Sequence, residues 1–143
     1  MDLLDLQRKV KRLDVDKMVN RAVLENKEEI LDANTAQLSQ GKNKLGAFLD
    51  EYVLDAYSEY KKFLGSKAPY GIADLYLEGN FYEGFFISED GENWTIFSSD
   101  SKADELANKY GIDIFGLSEE SLQQIRPLIL ESLQNQLRYE LLR

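Results

Sequence analysis

The stretch Phe85-Phe86-Ile87-Ser88-Glu89-Asp90-Gly91-Glu92-Asn93-Trp94-Thr95-Ile96-Phe97-Ser98 decides the fold. Phe85–Ser88 and Trp94–Ser98 read as two strands joined across Asp90-Gly91. Asp-Gly favours a tight hairpin turn because both central residues tolerate positive φ. Along the second strand Trp94, Ile96 and Ser98 point one way, and Thr95 and Phe97 the other. Apolar groups thus fall on both faces, so one face is expected to meet helices and the other a partner.

Upstream of the hairpin, Gly79–Gly84 interrupts the chain, with Phe81, Tyr82 and Phe85 spaced for one helical turn. Ala73–Leu77 alternates and is expected as a further strand. Gly65–Gly71, with Pro69, reads as a loop. Before it, Tyr52, Val53, Ala56, Tyr57, Tyr60, Phe63 and Leu64 form one broad face of a tyrosine-rich helix from about Leu49 to Leu64. That stripe reads as core or subunit contact rather than as a ligand box. Gly41–Gly46 is a second loop. Gly41-Lys42 resembles a phosphate loop only faintly, because Asn43 stands where Ser or Thr would hold magnesium. Two N-terminal helices precede it. Leu3, Leu6, Val10 and Leu13 make a stripe within residues 2–13. A longer helix capped by Asp14 or Asp16 carries Val15, Val19, Ala22, Val23, Ile30, Leu31 and Leu38, with a polar gap at Glu25–Glu29, and stops at Gly41.

Downstream, Ser101 with Asp104 three residues on is close to a capping box and is expected to start a short helix ending at Tyr110-Gly111. Ile112–Leu117 is an apolar connector. Ser118 caps a final helix whose stripe is Leu122, Ile125, Ile129, Leu133, Leu137 and Leu141, with Glu119 and Glu120 at its positive end. Pro127 falls inside that pattern and predicts a kink or a break. The fold class expected is α+β: a small antiparallel sheet with a projecting β-hairpin, packed by two or three longer helices on one face. Residues 1–143 are expected as a single domain, with a mobile N-terminal helix at 1–13 and a frayed C-terminus at 138–143.

The chain has 143 residues, 43% hydrophobic and 30% charged, which suits a folded domain with its own core. Its longest purely apolar runs are a few residues, such as Leu128–Leu130, too short to span a membrane. The absence of cysteine excludes disulfides, thiolate metal sites and Cys nucleophiles. The absence of histidine excludes imidazole acid–base chemistry and the commonest zinc and iron ligand sets. Carboxylates cluster at Glu89, Asp90 and Glu92 and at Asp100, Asp104 and Glu105, but neither group has calcium-loop spacing. A turn tip and a helix start are solvated places, whereas a catalytic acid needs partial burial to shift its pKa. The expectation is therefore no enzyme, no cofactor, no metal and no catalytic residue.

The net charge is −9, and it is unevenly placed. Residues 1–68 carry 12 basic and 12 acidic side chains; residues 69–143 carry 5 and 14. The second half lacks the basic footprint that binding to nucleic-acid phosphates requires. The start shows no signal-peptide pattern, which predicts a cytoplasmic product.

Ala73-Asp74-Leu75-Tyr76-Leu77-Glu78-Gly79-Asn80-Phe81-Tyr82-Glu83-Gly84-Phe85 resembles the "strand, then T-G-D/N, then one turn" signature of phage virion morphogenesis proteins, the Mu-type family and its tail-completion relatives in long-tailed phages. Phe115-Gly116-Leu117-Ser118-Glu119-Glu120 is similar to the "F-x-G-L-S-x-x-D" lead-in to that family's last helix. Asn34 with Gln37-Leu38, Tyr57–Lys62 and Lys109-Tyr110-Gly111 extend the likeness over most of residues 15–135. Glu78 departs from it, standing where the family has Thr.

The resemblance implies a non-enzymatic structural protein that joins head to tail, as a ring, usually sixfold in that family, around the DNA path. Its partners would be itself and head-connector or tail-tube proteins, with no membrane and no sequence-specific nucleic-acid contact. It would be found in the host cytoplasm during assembly and then in the tail or neck of the virion. Leu75, Leu77, Gly79, Phe81, Gly84, Phe85, Phe115, Gly116 and Leu117 would be structural motif positions. Tyr82, Trp94 and Phe97 are candidates for subunit contact. The acidic half alternatively suits an inhibitor or immunity-type protein that binds a basic partner.

Overall fold

In the computed structural model, which describes residues 2–76, 78–90 and 93–143, the hairpin is β1 (Phe85–Asp90) and β2 (Asn93–Ser98). The strands pair antiparallel, with Phe85 opposite Ser98, Phe86 opposite Phe97 and Ile87 opposite Ile96. Among the described residues seven helices accompany them: α1 (Leu3–Lys11), α2 (Val15–Glu25), α3 (Lys27–Ser39), α4 (Asp55–Phe63), α5 (Asn80–Glu83), α6 (Ala103–Tyr110) and α7 (Glu119–Leu142). A 3-10 turn at Ile112–Ile114 links α6 to α7. The fold is α+β. The predicted turn is Asp90-Gly91; Asp90 instead ends β1 opposite Asn93, while Gly91, Glu92, the side chain of Asp90 and Leu77 lie outside the described residues.

The chain divides into two compact units. Unit 1 is Met1–Lys27 with Gln124–Arg143, and unit 2 is Glu28–Gln123. Read against the sequence, unit 1 holds seven acidic and ten basic residues, net +3, and unit 2 nineteen acidic and seven basic, net −12.

Unit 2 is built around Leu38 of α3, Leu49, Ala73, Phe81 of α5, Phe85 of β1, Ala103 of α6, Ile114 and Phe115. Aromatic edges and faces lock its centre. Phe85 lies 5.1 Å from Phe81 and 5.6 Å from Phe115, centroid to centroid. Offset and edge-on pairs of this kind contribute about 0.5–1.5 kcal/mol beyond their buried area. The inner face of the hairpin presents Phe85, Ile96 and Ser98 to this core, and Ser98 Oγ donates to the Phe81 carbonyl at 2.7 Å. Phe86 and Phe97 form the opposite, exposed cross-strand pair.

Two buried side-chain amides fasten α3 to the connector after the 3-10 turn. Asn34 accepts from the Gly116 N–H at 2.8 Å and donates to the Ile114 carbonyl at 3.0 Å. Gln37 donates to the Gly116 carbonyl at 3.1 Å and accepts from the Ser118 N–H at 2.8 Å and the Ser121 hydroxyl at 3.0 Å. Ser118 Oγ in turn accepts from the Ser121 N–H, capping α7 as the sequence predicts.

In unit 1, Asp2 and Asp14 cap α1 and α2 through the Asp5 and Lys17 N–H groups. Lys9 of α1 donates to the carbonyls of Leu141 and Arg143, at the negative end of α7. Asn26 donates to Ser132 Oγ at 2.9 Å, and Gln136 to the Met18 carbonyl at 3.0 Å, so α2 packs along the C-terminal part of α7.

The structure corrects five local expectations. The long second helix is two helices, because the Asn26 side chain bonds the Ala22 carbonyl at 2.8 Å and competes with the helical backbone there. The tyrosine-rich helix begins at Asp55, not Leu49: Leu49 donates its N–H to the Gly41 carbonyl, and Tyr52 to that of Gly71, so this segment runs extended. Ala73–Tyr76 is not a strand. Asp74 folds its carboxylate onto the Tyr76 N–H, and Leu75 takes φ +59°, which leaves one isolated bridge, Glu51 with Ile72. Ser101 does not cap α6; the Asp100 carboxylate, one residue earlier, accepts the Lys102 N–H. Pro127 does not break α7, which runs from Glu119 to Leu142; the proline removes one N–H and the ladder continues on either side.

Candidate functional site

The tyrosines of the α4 region and the carboxylate inside the run Ile72–Tyr76 meet in one polar cluster within unit 2. Lys61, on the inward face of α4 with Ser58, reaches Asp74 at 2.7 Å. Their side chains are only 7% and 8% exposed. Lys61 also donates to the Tyr76 carbonyl. Asp74 Oδ1 further accepts from the Tyr52 hydroxyl at 3.3 Å and the Tyr76 N–H at 3.1 Å, and Oδ2 from the Ser66 hydroxyl at 2.8 Å. The Tyr82 hydroxyl donates to the Asp74 carbonyl. Among the described residues no buried side-chain polar atom lacks a partner.

Burial, followed by the adjacent Asp74 charge, raises the pKa values of Tyr82 and Tyr52 above the ordinary tyrosine value. Both therefore remain neutral hydroxyls at physiological pH and act as hydrogen-bond donors rather than as bases. Lys61 spends its charge on Asp74. The cluster has the composition of a reactive site, but its groups are committed to one another.

Above it lies a groove of about 660 Å³, within the size range of ligand clefts. Tyr52, Tyr57, Leu54, Leu75, Tyr76 and Tyr110 supply its apolar walls, and Glu51, Glu78, Asp100, Lys102 and Lys109 its charged edges. Tyr57 stands edge-on to Tyr52 at 4.7 Å. The left-handed Leu75 at its floor is strained by about 1 kcal/mol relative to an ordinary backbone. The outer stripe of the tyrosine-rich segment is solvated: Val53, which also lines the groove, is 92% and Phe63 86% exposed, and Leu54 and Leu64 are exposed as well.

The residues singled out in the sequence fall in different places. Phe81, Phe85 and Phe115 are in the core, and Leu75 packs against it from the groove. Gly79 takes φ +87° at the start of α5, which a side chain would strain. Gly84 has ordinary φ but is closed in: a Cβ there would lie 2.7 Å from Ser98 Oγ and 3.0 Å from the Asp100 nitrogen. Gly116 gives both backbone groups to Asn34 and Gln37, and Leu117 is half-buried. Tyr82 is half-buried and bonded to Asp74, and Trp94 is half-buried opposite Glu89. Phe97 touches Phe115 at 5.6 Å while keeping an exposed edge. Asn43, in the glycine loop, accepts from the Leu45 and Ala47 N–H groups, a turn-forming role.

Lys61 and Asp74 were missed. The available signal was a carboxylate inside the apolar run Ile72-Ala73-Asp74-Leu75-Tyr76, which demands a buried partner. Among the described residues no group of acidic side chains is arranged to hold a metal ion. No helix among them is long and apolar enough to cross a membrane. No protein family, curated protein or solved structure matches the chain.

Proposed function

We propose that this chain is a non-enzymatic structural protein of a phage or prophage virion, acting in tail completion and head–tail joining and assembling as a ring around the DNA path. The observation that carries a binding rather than a catalytic role is the contrast around the groove. Its ionisable core, Lys61, Asp74, Tyr52 and Tyr82, is internally paired, while aromatic and aliphatic side chains beside it face solvent. Apolar surface of that kind serves association. The resemblance of residues 73–85 and 115–120 to virion morphogenesis proteins supplies the class. Self-repeating contacts between unlike surfaces close into rings, and an acidic unit 2 gains nothing from DNA phosphates, which suits a lumen through which DNA slides.

The test is co-expression with the products of the flanking genes. A ring-shaped complex containing this chain, seen by electron microscopy, is the expected result. The same complex forming unchanged without it overturns the reading. The net charge of −12 on unit 2 favours one alternative, an acidic inhibitor; a salt-labile one-to-one complex with a basic protein would put that reading first.

A further inference from the structure

The two units carry opposite net charge, and each has an uncovered apolar surface. On α1, Leu6 and Lys9 fall on one side and are half-buried, as is Leu13 just beyond the helix, and Lys9 is tied to the end of α7. At 100° per residue, Leu3 and Val10 continue the Leu6 edge outward, and Lys11, Leu4 and Arg8 occupy the side opposite Leu6 and Lys9; all five are exposed. Leu3 is 82% exposed, and no residue of α1 is buried. This outward arc carries Leu3 and Val10 along one edge and the cations Lys11 and Arg8, with Leu4 between them, along the other. The groove of unit 2 has complementary chemistry: Leu75 and tyrosines line it, with Glu51 and Glu78 among its charged residues, both exposed. Asp100 adds a third carboxylate, against Lys102 and Lys109 on the α6 side, where Lys109 already lies 5.3 Å from the Tyr110 ring.

We propose that the outward face of α1 in one copy docks into this groove on unit 2 of a second copy, an extension that rests on the self-assembling reading above. Leu3, Leu4 and Val10 enter the tyrosine-lined groove, and Arg8 and Lys11 meet Glu51 and Glu78. The contact joins two different surfaces, so each bound copy still offers one free α1 and one free groove. Such contacts propagate head to tail until they close. The charges steer the encounter and set its direction, and the apolar side chains supply affinity.

Sedimentation velocity of the full chain, over a wide concentration range at low and high salt, reads the association directly. Wild-type protein is expected to associate in a concentration-dependent way and to weaken in high salt. Arg8→Glu with Lys11→Glu, and separately Glu51→Lys with Glu78→Lys, are each expected to weaken association about tenfold or more. Mixing the two reversed proteins restores it, because each α1 then finds an oppositely charged groove. All four positions are exposed, and circular dichroism checks that the variants fold. Leu3→Ser with Leu4→Ser, which leaves the charges alone, is expected to weaken association as well. A wild-type chain that stays monomeric at every concentration overturns the proposal, as does association that none of these changes affects. Either result leaves head–tail joining to be decided by co-expression with the flanking gene products.

Discussion

Unit 2 buries interlocked aromatic rings and a lysine–aspartate pair, whereas unit 1 buries only Ala22 and Ile125 among its described side chains. Unit 1 is held by helix caps at Asp2 and Asp14, by Lys9 on the last carbonyls of α7, and by exposed pairs such as Arg21 with Glu25. Contacts of that sort contribute about 1 kcal/mol or less each. The difference teaches where each kind of sequence change is felt. In unit 2, side chains determine one another's positions, so a change acts on stability. In unit 1, apolar side chains stand in solvent, so a change acts first on association.

The sharpest way to break that contrast is Asp74→Ala. It strands a buried ammonium and several donors, and is expected to cost about 3–5 kcal/mol in chemical denaturation. Replacing both partners, Lys61→Met with Asp74→Leu, is expected to cost much less. Equal losses would show that the pair is not the rivet described above. Asn34→Ala comes next, at about 2 kcal/mol, because it orphans the buried Gly116 N–H and Ile114 carbonyl. A loss near zero would mean that water replaces the amide.

A pH dependence sharpens the same point. Tyr82 and Tyr52 titrate above the ordinary value when folded and near 10 when unfolded. Between those values the unfolded chain releases protons that the folded chain keeps. The stabilisation is therefore complete below pH 10 and is lost as the pH rises towards the folded values. Wild type is expected to lose on the order of 1 kcal/mol per pH unit there through Tyr82. Tyr82→Phe with Tyr52→Phe should flatten the slope; an unchanged slope in the variant would place its origin elsewhere. The smallest effect is expected in unit 1: Leu3→Ser with Leu4→Ser should shift folding stability by no more than about 0.5 kcal/mol. A larger loss in the denaturation midpoint would break the comparison from the other side.

The hairpin's two strands were legible from local residue types, Phe85–Ser88 and Trp94–Ser98, though each strand runs on to Asp90 and Asn93 beyond the expected bounds. The α7 start was legible for the same reason, since Ser118 needs only Ser121 to show its role. The break at Asn26 was half visible as a polar gap, but the bond from its side chain to Ala22 decides it, and periodicity does not register that. Ala73–Tyr76 looked like a strand because its residue types suit one. Its backbone is instead set by Lys61, thirteen positions earlier, which draws Asp74 inward. The outer stripe of Tyr52–Leu64 had helical spacing yet faces solvent, because the helix turns Ser58 and Lys61 inward. Hydrophobic periodicity assumes that the apolar side is the buried one, and an ion pair in the interior reverses that. The site was therefore the least legible part: Tyr52 and Tyr57 stood in the tyrosine stripe, but a groove depends on how distant segments meet, and nothing local brings them to Leu75 and Tyr110.

Asn34 and Gln37 also bear on how the chain is made. They leave the ribosome about eighty residues ahead of Gly116 and Ser118, the groups they eventually hold. Until then their amides are served by water, and Phe115, which closes the aromatic cluster, has not been added. Contacts this far apart in sequence form late and slowly. A nascent chain halted before Phe115 would carry most of the apolar residues of unit 2 with nothing to seal them, so the unit closes only once Phe115–Ser121 has been made rather than growing layer by layer.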